Sequence, residues 1–259
     1  MQIPGRLALI DRFSVLGVSV SATTLPDAVN LVQSWLGGEN RQYVCVTGVH
    51  GVMESRRDPA LRQIHNAAGL VTPDGMPLVW FGRVAGHRID RVYGPDLLLA
   101  ICGACESGGI RHFFYGGGIG VAGLLVNRLE ARFPSIRVVG TLTPPFRPLT
   151  REEDQAEVDL INTADPDIVW VGLSTPKQER WMASHRDRLN AGVLVGVGAA
   201  FDFHAGLKRQ APGWMQRAGL EWLFRLMTEP RRLWKRYLRN NPLFIYHVVL
   251  QCTGLRRYE

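Results

Sequence analysis

Short apolar runs rich in β-branched residues alternate along this chain with longer stretches of helical periodicity. The runs QYVCVTG (42–48), GLVTPDG (69–75), RHFFYGGG (111–118), IRVVGTL (136–142), DIVWVGL (167–173) and VLVGVGAAF (193–201) read as strands. Between them the pattern predicts a helix from about Val52 to Ala68, helical stretches to Gly108, a helix to about Phe133, and one through REEDQAEVDLINTA (151–164). That rhythm of βα units predicts an α/β fold, a Rossmann-like, mostly parallel sheet with helices on both faces. In such sheets ligands bind beyond the carboxyl ends of the strands, so function is sought in the strand-end loops.

Composition adds little until charge is divided by position. The 259 residues are 46% hydrophobic and 20% charged, the balance of an ordinary folded chain. The last 54 positions, 206–259, hold 11 of the 30 basic residues and only 3 of the 23 acids, so the whole surplus of +7 sits there. We therefore read residues 1–205 as one α/β body and residues 206–259 as a basic helical appendage. In the appendage Trp214, Trp222, Leu223, Leu226, Leu233, Trp234, Tyr237 and Leu238 recur at roughly helical spacing, with arginines interleaved. An amphipathic helix of that kind suits an anionic membrane surface. A basic helix without a recognition fold argues against nucleic acid as a partner. The N-terminal apolar residues are interrupted by Arg6, Asp11 and Arg12, which disfavours a secretory signal, and no apolar tract approaches the ~20 residues of a spanning helix. The expectation is a cytoplasmic protein, peripheral on the inner face of the cell membrane, with a homo-oligomer left open. The four cysteines are read as reduced core residues, the Cys102-x-x-Cys105 pair included, because it falls inside an apolar helical pattern.

Four strand-end loops carry unusual residues: Thr47-Gly48-Val49-His50, Thr72-Pro73-Asp74-Gly75, Gly116-Gly117-Gly118-Ile119-Gly120, and Ser174-Thr175-Pro176-Lys177-Gln178-Glu179. Gly118-x-Gly120-x-x-Gly123 formally matches a dinucleotide fingerprint. A nucleotide-sugar or NAD-dependent oxidoreductase with a Rossmann fold is therefore the alternative reading, with a non-catalytic nucleotide-binding module behind it. The next strand, however, ends in Thr143-Pro144-Pro145 without the carboxylate that would hold a ribose. The glycines suit a nucleotide diphosphate-sugar instead, because backbone N–H groups can approach the diphosphate closely. Asp74, at a strand end beside Gly75, is the candidate general base; turn-forming or capping is its competing role. His50 and His204 are rival bases. No H-E-x-x-H or clustered His/Cys spacing occurs, so neither metal nor cofactor is expected, and arginines with backbone N–H groups are left to meet diphosphate charge.

These residues resemble the WecG/TagA/CpsF glycosyltransferases (glycosyltransferase family 26) from about Ala22 to Tyr237. The resemblance is carried by the Thr47 loop, Asp74-Gly75, Arg91-Val-Tyr-Gly94-Pro-Asp96, FFYGGG, GLSTPKQERW, GVGAAFDFHAG and AGLEWLFRLMTEPRRLWKRY. It implies a metal-independent, inverting transfer of a hexose or N-acetylhexosamine, such as N-acetylmannosamine, from a UDP-sugar donor to a polyprenyl-diphosphate-linked sugar acceptor, in cell-surface or exopolysaccharide biosynthesis. It further implies that Asp74 is the base. Thr47, His50, Arg91, Gly116, Gly117, Gln178 and Glu179 would line the substrate site, and Arg225, Arg231 and Arg232 would reach the donor diphosphate. The chain departs from the pattern at Val49-His50, where an asparagine is usual two residues after the threonine. It departs again at Leu173-Ser174 in place of a glycine, and at Gln210 after Arg209. These changes bear on which sugar is read.

Overall fold

A computed structural model describes residues 10–38 and 41–258. The strands are β1 (Arg12–Val15), β2 (Val18–Ser21), β3 (Gln42–Thr47), β4 (Leu70–Pro73), β5 (Arg111–Gly116), β6 (Arg137–Leu142), β7 (Ile168–Gly172) and β8 (Val193–Gly196). The helices are α1 (Leu25–Trp35), α2 (Val49–Arg57), α3 (Pro59–Ala67), α4 (Met76–Val84), α5 (Gly94–Cys105), α6 (Val121–Arg132), α7 (Arg151–Ala164), α8 (Lys177–His185), α9 (Ala200–His204), α10 (Gly213–Arg217), α11 (Glu221–Thr228) and α12 (Pro230–Cys252). Strands β3 to β8 form one sheet in the order β4-β3-β8-β7-β5-β6, and every neighbouring pair is parallel.

Side chains alternate across the strands, and both faces are buried. Tyr43, Cys45, Phe113, Tyr115, Val169 and Val171 point into one core with Leu78 of α4 and Met182 of α8. Their neighbours Val44, Phe114, Trp170 and Val195 point into the other, with Val32 of α1, Leu98 of α5 and Leu125 of α6. Cys102 and Cys105 are buried on α5 as core residues and Cys45 lies mid-sheet, whereas Cys252 is exposed; all four are free.

The structure corrects the sequence reading in three places. The single helix expected over Val52–Ala68 is two helices, broken where Asp58 caps α3 through the backbone N–H groups of Ala60 and Leu61 (3.1 and 3.2 Å) and Pro59 starts it. The N-terminal apolar stretch contains an unanticipated antiparallel hairpin, β1–β2, turned by Leu16 and Gly17 at φ 53° and 87°; its first nine residues lie outside the described residues. The tail is not one amphipathic helix. Gly219 at φ 72° separates α10 from α11, and Pro230 starts α12 after Glu229. Leu233 and Phe244 of α12 are buried, while Trp234 and Leu238 are exposed. Gln251 near its end pins the hairpin, donating from Nε2 to the Ser14 carbonyl (2.8 Å) and accepting from Leu16 N–H (2.9 Å). Among the described residues no helix is long and apolar enough to cross a membrane.

Glycine at the end of β5 has a packing reason. Gly116 adopts φ 112°, and a Cβ there would lie 2.8 Å from the Gly172 carbonyl carbon of β7. We expect Gly116→Ala to cost at least about 2 kcal/mol in urea unfolding, since both strain and overlap are added. Gly123→Ala, at an open position in α6, should instead stabilise by about 0.5–1 kcal/mol.

Candidate active site

Because the sheet is parallel, all strand carboxyl ends emerge on one edge, and β3 and β4 bring two of the expected loops into contact. Thr47 pairs with Pro73, and Asp74 N–H donates to the Thr47 carbonyl (2.9 Å). Asp74 is thereby set against Gly48, where a Cβ would stand 3.5 Å from Asp74 Oδ2. On the other side Gly94 N–H approaches Asp74 Oδ1 at 3.4 Å, a long hydrogen bond. Asp74 is half-buried, and burial raises its carboxyl from the ordinary value to about 6; Arg91 opposes that shift and Glu221 adds to it.

Arg91 is the fastener of this edge. Its Nε donates to the Asp74 backbone carbonyl (2.6 Å), one terminal nitrogen donates to Gln216 Oε1 (2.8 Å), and the other forms an ion pair with Glu221. The guanidinium also lies 4.0 Å from the centroid of the Tyr93 ring. Arg91 thus ties the loop after β4 to α10 and α11, and a cleft of about 1050 Å³ is left between them. His50, Asp74, Arg91, Arg225 and Arg236 all line it. Arg225 and Arg236 have no carboxylate within ion-pair distance among the described residues, and each carries a buried Nε without a hydrogen-bond partner. Burial disfavours the charge on Arg225, yet its pKa is raised by Tyr237, Tyr93, Glu221 and Glu229. His50 Nδ1 lies 3.0 Å from Asn240 Nδ2 of α12, and burial together with Arg236 and Arg57 lowers its pKa to about 4. His50 is therefore neutral at pH 7.

The other expected site residues lie elsewhere on the same edge or off it. The Thr47 side chain turns inward, its hydroxyl 3.4 Å from the Cys45 carbonyl. Gly116 and Gly117 close against β7, with Gly117 N–H donating to the Gly172 carbonyl (3.0 Å). Gln178 and Glu179 are buried at the start of α8, where Glu179 Oε1 accepts from Thr175 Oγ1 (2.7 Å) and Gln178 Nε2 (3.1 Å). Gln178 Oε1 and the other Glu179 oxygen, Oε2, have no partner among the described residues. Arg231 is exposed, and Arg232 pairs with Glu229 (2.6 Å). His204 donates from Nε2 to the Pro95 carbonyl (2.9 Å), away from Asp74's cleft. Gln216, Glu221, Asn240 and Arg236 were not anticipated. Glu221 had a signal, as one of only three acids inside a strongly basic segment.

Residues 13–258 match the family model described as Glycosyl transferase WecG/TagA/CpsF family. The chain belongs to this family. The glycosyltransferase is 32% identical over 187 residues to the N-acetylglucosaminyldiphosphoundecaprenol N-acetyl-beta-D-mannosaminyltransferase of Bacillus spizizenii, covering 71% of this chain and 70% of that protein. It is 24% identical over 245 residues to the Staphylococcus aureus protein of the same name, covering 92% of each.

The charges around Asp74 make a testable pattern in this glycosyltransferase. A 13C-detected titration of the Asp74 carboxyl should show a midpoint near pH 6. Removing the neighbouring negative charge with Glu221→Gln should lower the midpoint, and removing the positive one with Arg91→Gln should raise it. An unchanged midpoint in both variants would remove those charges from the account. Because the folded-state pKa is raised, ionising Asp74 opposes folding as pH climbs through about 6. Asp74→Asn should therefore melt at or above the wild-type temperature at pH 7, and the two curves should converge near pH 4.

Proposed function

We propose that this glycosyltransferase moves a hexose or N-acetylhexosamine, such as N-acetylmannosamine, from a UDP-sugar to a sugar carried on a polyprenyl diphosphate, with inversion. The observation that carries the reading is a half-buried carboxylate with a pKa of about 6 that shares one cleft with two arginines, Arg225 and Arg236, without a carboxylate in ion-pair distance among the described residues. The names of the two relatives, which specify an acceptor linked through diphosphate to undecaprenol, support the acceptor class. In this scheme the Asp74 carboxylate takes the proton of the acceptor hydroxyl, that oxygen bonds to the anomeric carbon of the donor, and the bond to UDP breaks on the opposite face. The negative charge that gathers on the departing diphosphate is met by Arg225, with Arg231 and Arg232 near the start of α12, which leaves Arg236 to the diphosphate of the acceptor. Arg91, whose nitrogens are all engaged by the protein, positions Asp74. Neutral His50 and the amide of Gln178 contribute hydrogen bonds to sugar, and Gly116 and Gly117 border the donor side.

Residues 206–259 act on this reading as a basic appendage to a body of residues 1–205, holding the enzyme peripherally on the inner face of the cell membrane, where cell-envelope glycans are assembled on lipid carriers. Basic residues near an anionic surface contribute about 1 kcal/mol each.

Incubation with a panel of UDP-sugars and a lipid-diphosphate-sugar acceptor should release UDP with one donor, without nicotinamide absorbance change and without loss in EDTA. Asp74→Asn should cut turnover at least ~10²-fold with its fold intact. Below pH 6 the wild-type rate should fall about tenfold per unit as Asp74 takes up its proton. Near wild-type turnover in Asp74→Asn, with His50→Ala inactive, would move the base to His50.

The membrane part has its own measurement. Sedimentation with anionic vesicles should weaken as salt rises and vanish on truncation at Gly206, which should also abolish transfer. Full-length enzyme that ignores anionic vesicles at low salt would confine the arginines to substrate binding.

A further inference from the structure

The cleft that begins at Asp74 does not end with its polar groups. It continues between α4 and α12 as an open groove, and both helices present an apolar stripe to it. On α4 the residues are Pro77, Trp80, Phe81 and Val84, one face at helical spacing. On α12 they run from Trp234 through Leu238, Ile245 and Val249 to Cys252. At 1.5 Å per residue that second stripe is about 27 Å long, comparable to the ~30 Å hydrocarbon thickness of a bilayer. Val84 is 85% exposed, Ile245 63% and Val249 54%. Apolar side chains left open along a groove of that length mark a site for an apolar occupant.

We propose that this groove binds the isoprenoid chain of the lipid-linked acceptor, seating its first units between α4 and α12 while the diphosphate and sugar reach Asp74. This inference rests on the acceptor assignment made above and adds the residues that recognise the chain. The arrangement of charge selects that occupant. The inner end of the groove carries Arg236, which has no carboxylate within ion-pair distance among the described residues, and the outer length is lined by hydrocarbon and aromatic rings. A molecule with a doubly anionic head and a long linear apolar tail matches both ends at once. A second copy of this chain would have to bring an anion to the inner end and a narrow apolar ridge to the rest. The wall made by α4 follows β4 of the sheet and packs through Phe81 against Phe13 of the β1–β2 hairpin, with ring centroids 6.2 Å apart. The groove is thus fixed between a rigid wall and the tail helix, and chain recognition is built into the same closure that forms the catalytic cleft.

The test compares acceptors with the same diphosphate-linked sugar carried on one or on four isoprene units, both soluble, without vesicles or detergent. Apolar burial of even part of three further units should favour the longer acceptor at least about tenfold in kcat/KM. Val84→Asp and, independently, Ile245→Asp should collapse that preference to within about twofold. Both positions are exposed, so the variants should fold, which circular dichroism checks. A wild-type enzyme without chain-length preference, or variants that keep it, overturns the groove while leaving the reaction assignment in place. A wild-type enzyme that transfers to neither acceptor sinks the reaction assignment and the inference together. Should Val84→Asp split a homodimer in solution, the groove belongs to a second copy and the proposal is wrong.

Discussion

One guanidinium holds the functional edge of this enzyme together. Arg91 has its three nitrogens committed to the carbonyl of Asp74, the amide of Gln216 and the carboxylate of Glu221. The first contact fixes the loop after β4, and the other two fix α10 and α11 on it. A half-buried ion pair contributes little by itself, because desolvation offsets the Coulomb gain. Here the gain is geometric, since a planar fork with fixed donor directions sets three segments in one relation. Lysine could not reproduce it. The partner on Asp74 is the backbone oxygen, so the carboxylate keeps its lone pairs and faces the cleft. Had Arg91 bonded the carboxylate directly, the Asp74 pKa would fall well below 6 and the group would be a poor proton acceptor at neutral pH.

How far the fold was legible follows from where the determining contacts lie in the chain. The six parallel strands were readable because each is a short apolar run, most of them buried on both faces, such as Val169–Trp170–Val171, with only the edge strand β6 partly exposed. Asp74 was readable because a strand that ends in Pro73 leaves little choice about where the next residue turns. The break at Asp58-Pro59 was written in a cap followed by a proline and was passed over because the apolar period continues across it. The β1–β2 hairpin was harder, since its turn uses Leu16-Gly17 in place of the Asn-Gly or Asp-Gly that marks such turns.

The site was less legible than the fold because its partners are far apart in sequence. Arg91 and Glu221 are separated by 130 residues, and His50 and Asn240 by 190. No local pattern predicts which acid a given arginine will meet. Residue type was also ambiguous: Gly116 suits a backbone cradle for phosphate, and its φ and its approach to Gly172 give a second, structural reason for glycine there. The Trp/Leu periodicity of the tail was real, yet Gly219 and Pro230 divide it among three helices, so its apolar residues face a cleft, a core and solvent in turn.

That division changes what the basic tail can do. Its positive charge looked like one pool, but the structure splits it. Lys208 pairs with Asp202 and Glu229, and Glu229 also takes Arg232. Arg225 and Arg236 face the cleft. Arg209, Arg217, Arg231, Lys235, Arg239, Arg256 and Arg257 are left exposed. Only this last group can act on a charged surface, and at about 1 kcal/mol each they supply a few kcal/mol before any ordering cost. Attraction of that size is reversible and sensitive to salt. The cations that face Asp74 are half-buried in the cleft and less open to salt than the exposed ones, so holding the enzyme at a surface and neutralising charge in the cleft draw on separate residues of one segment.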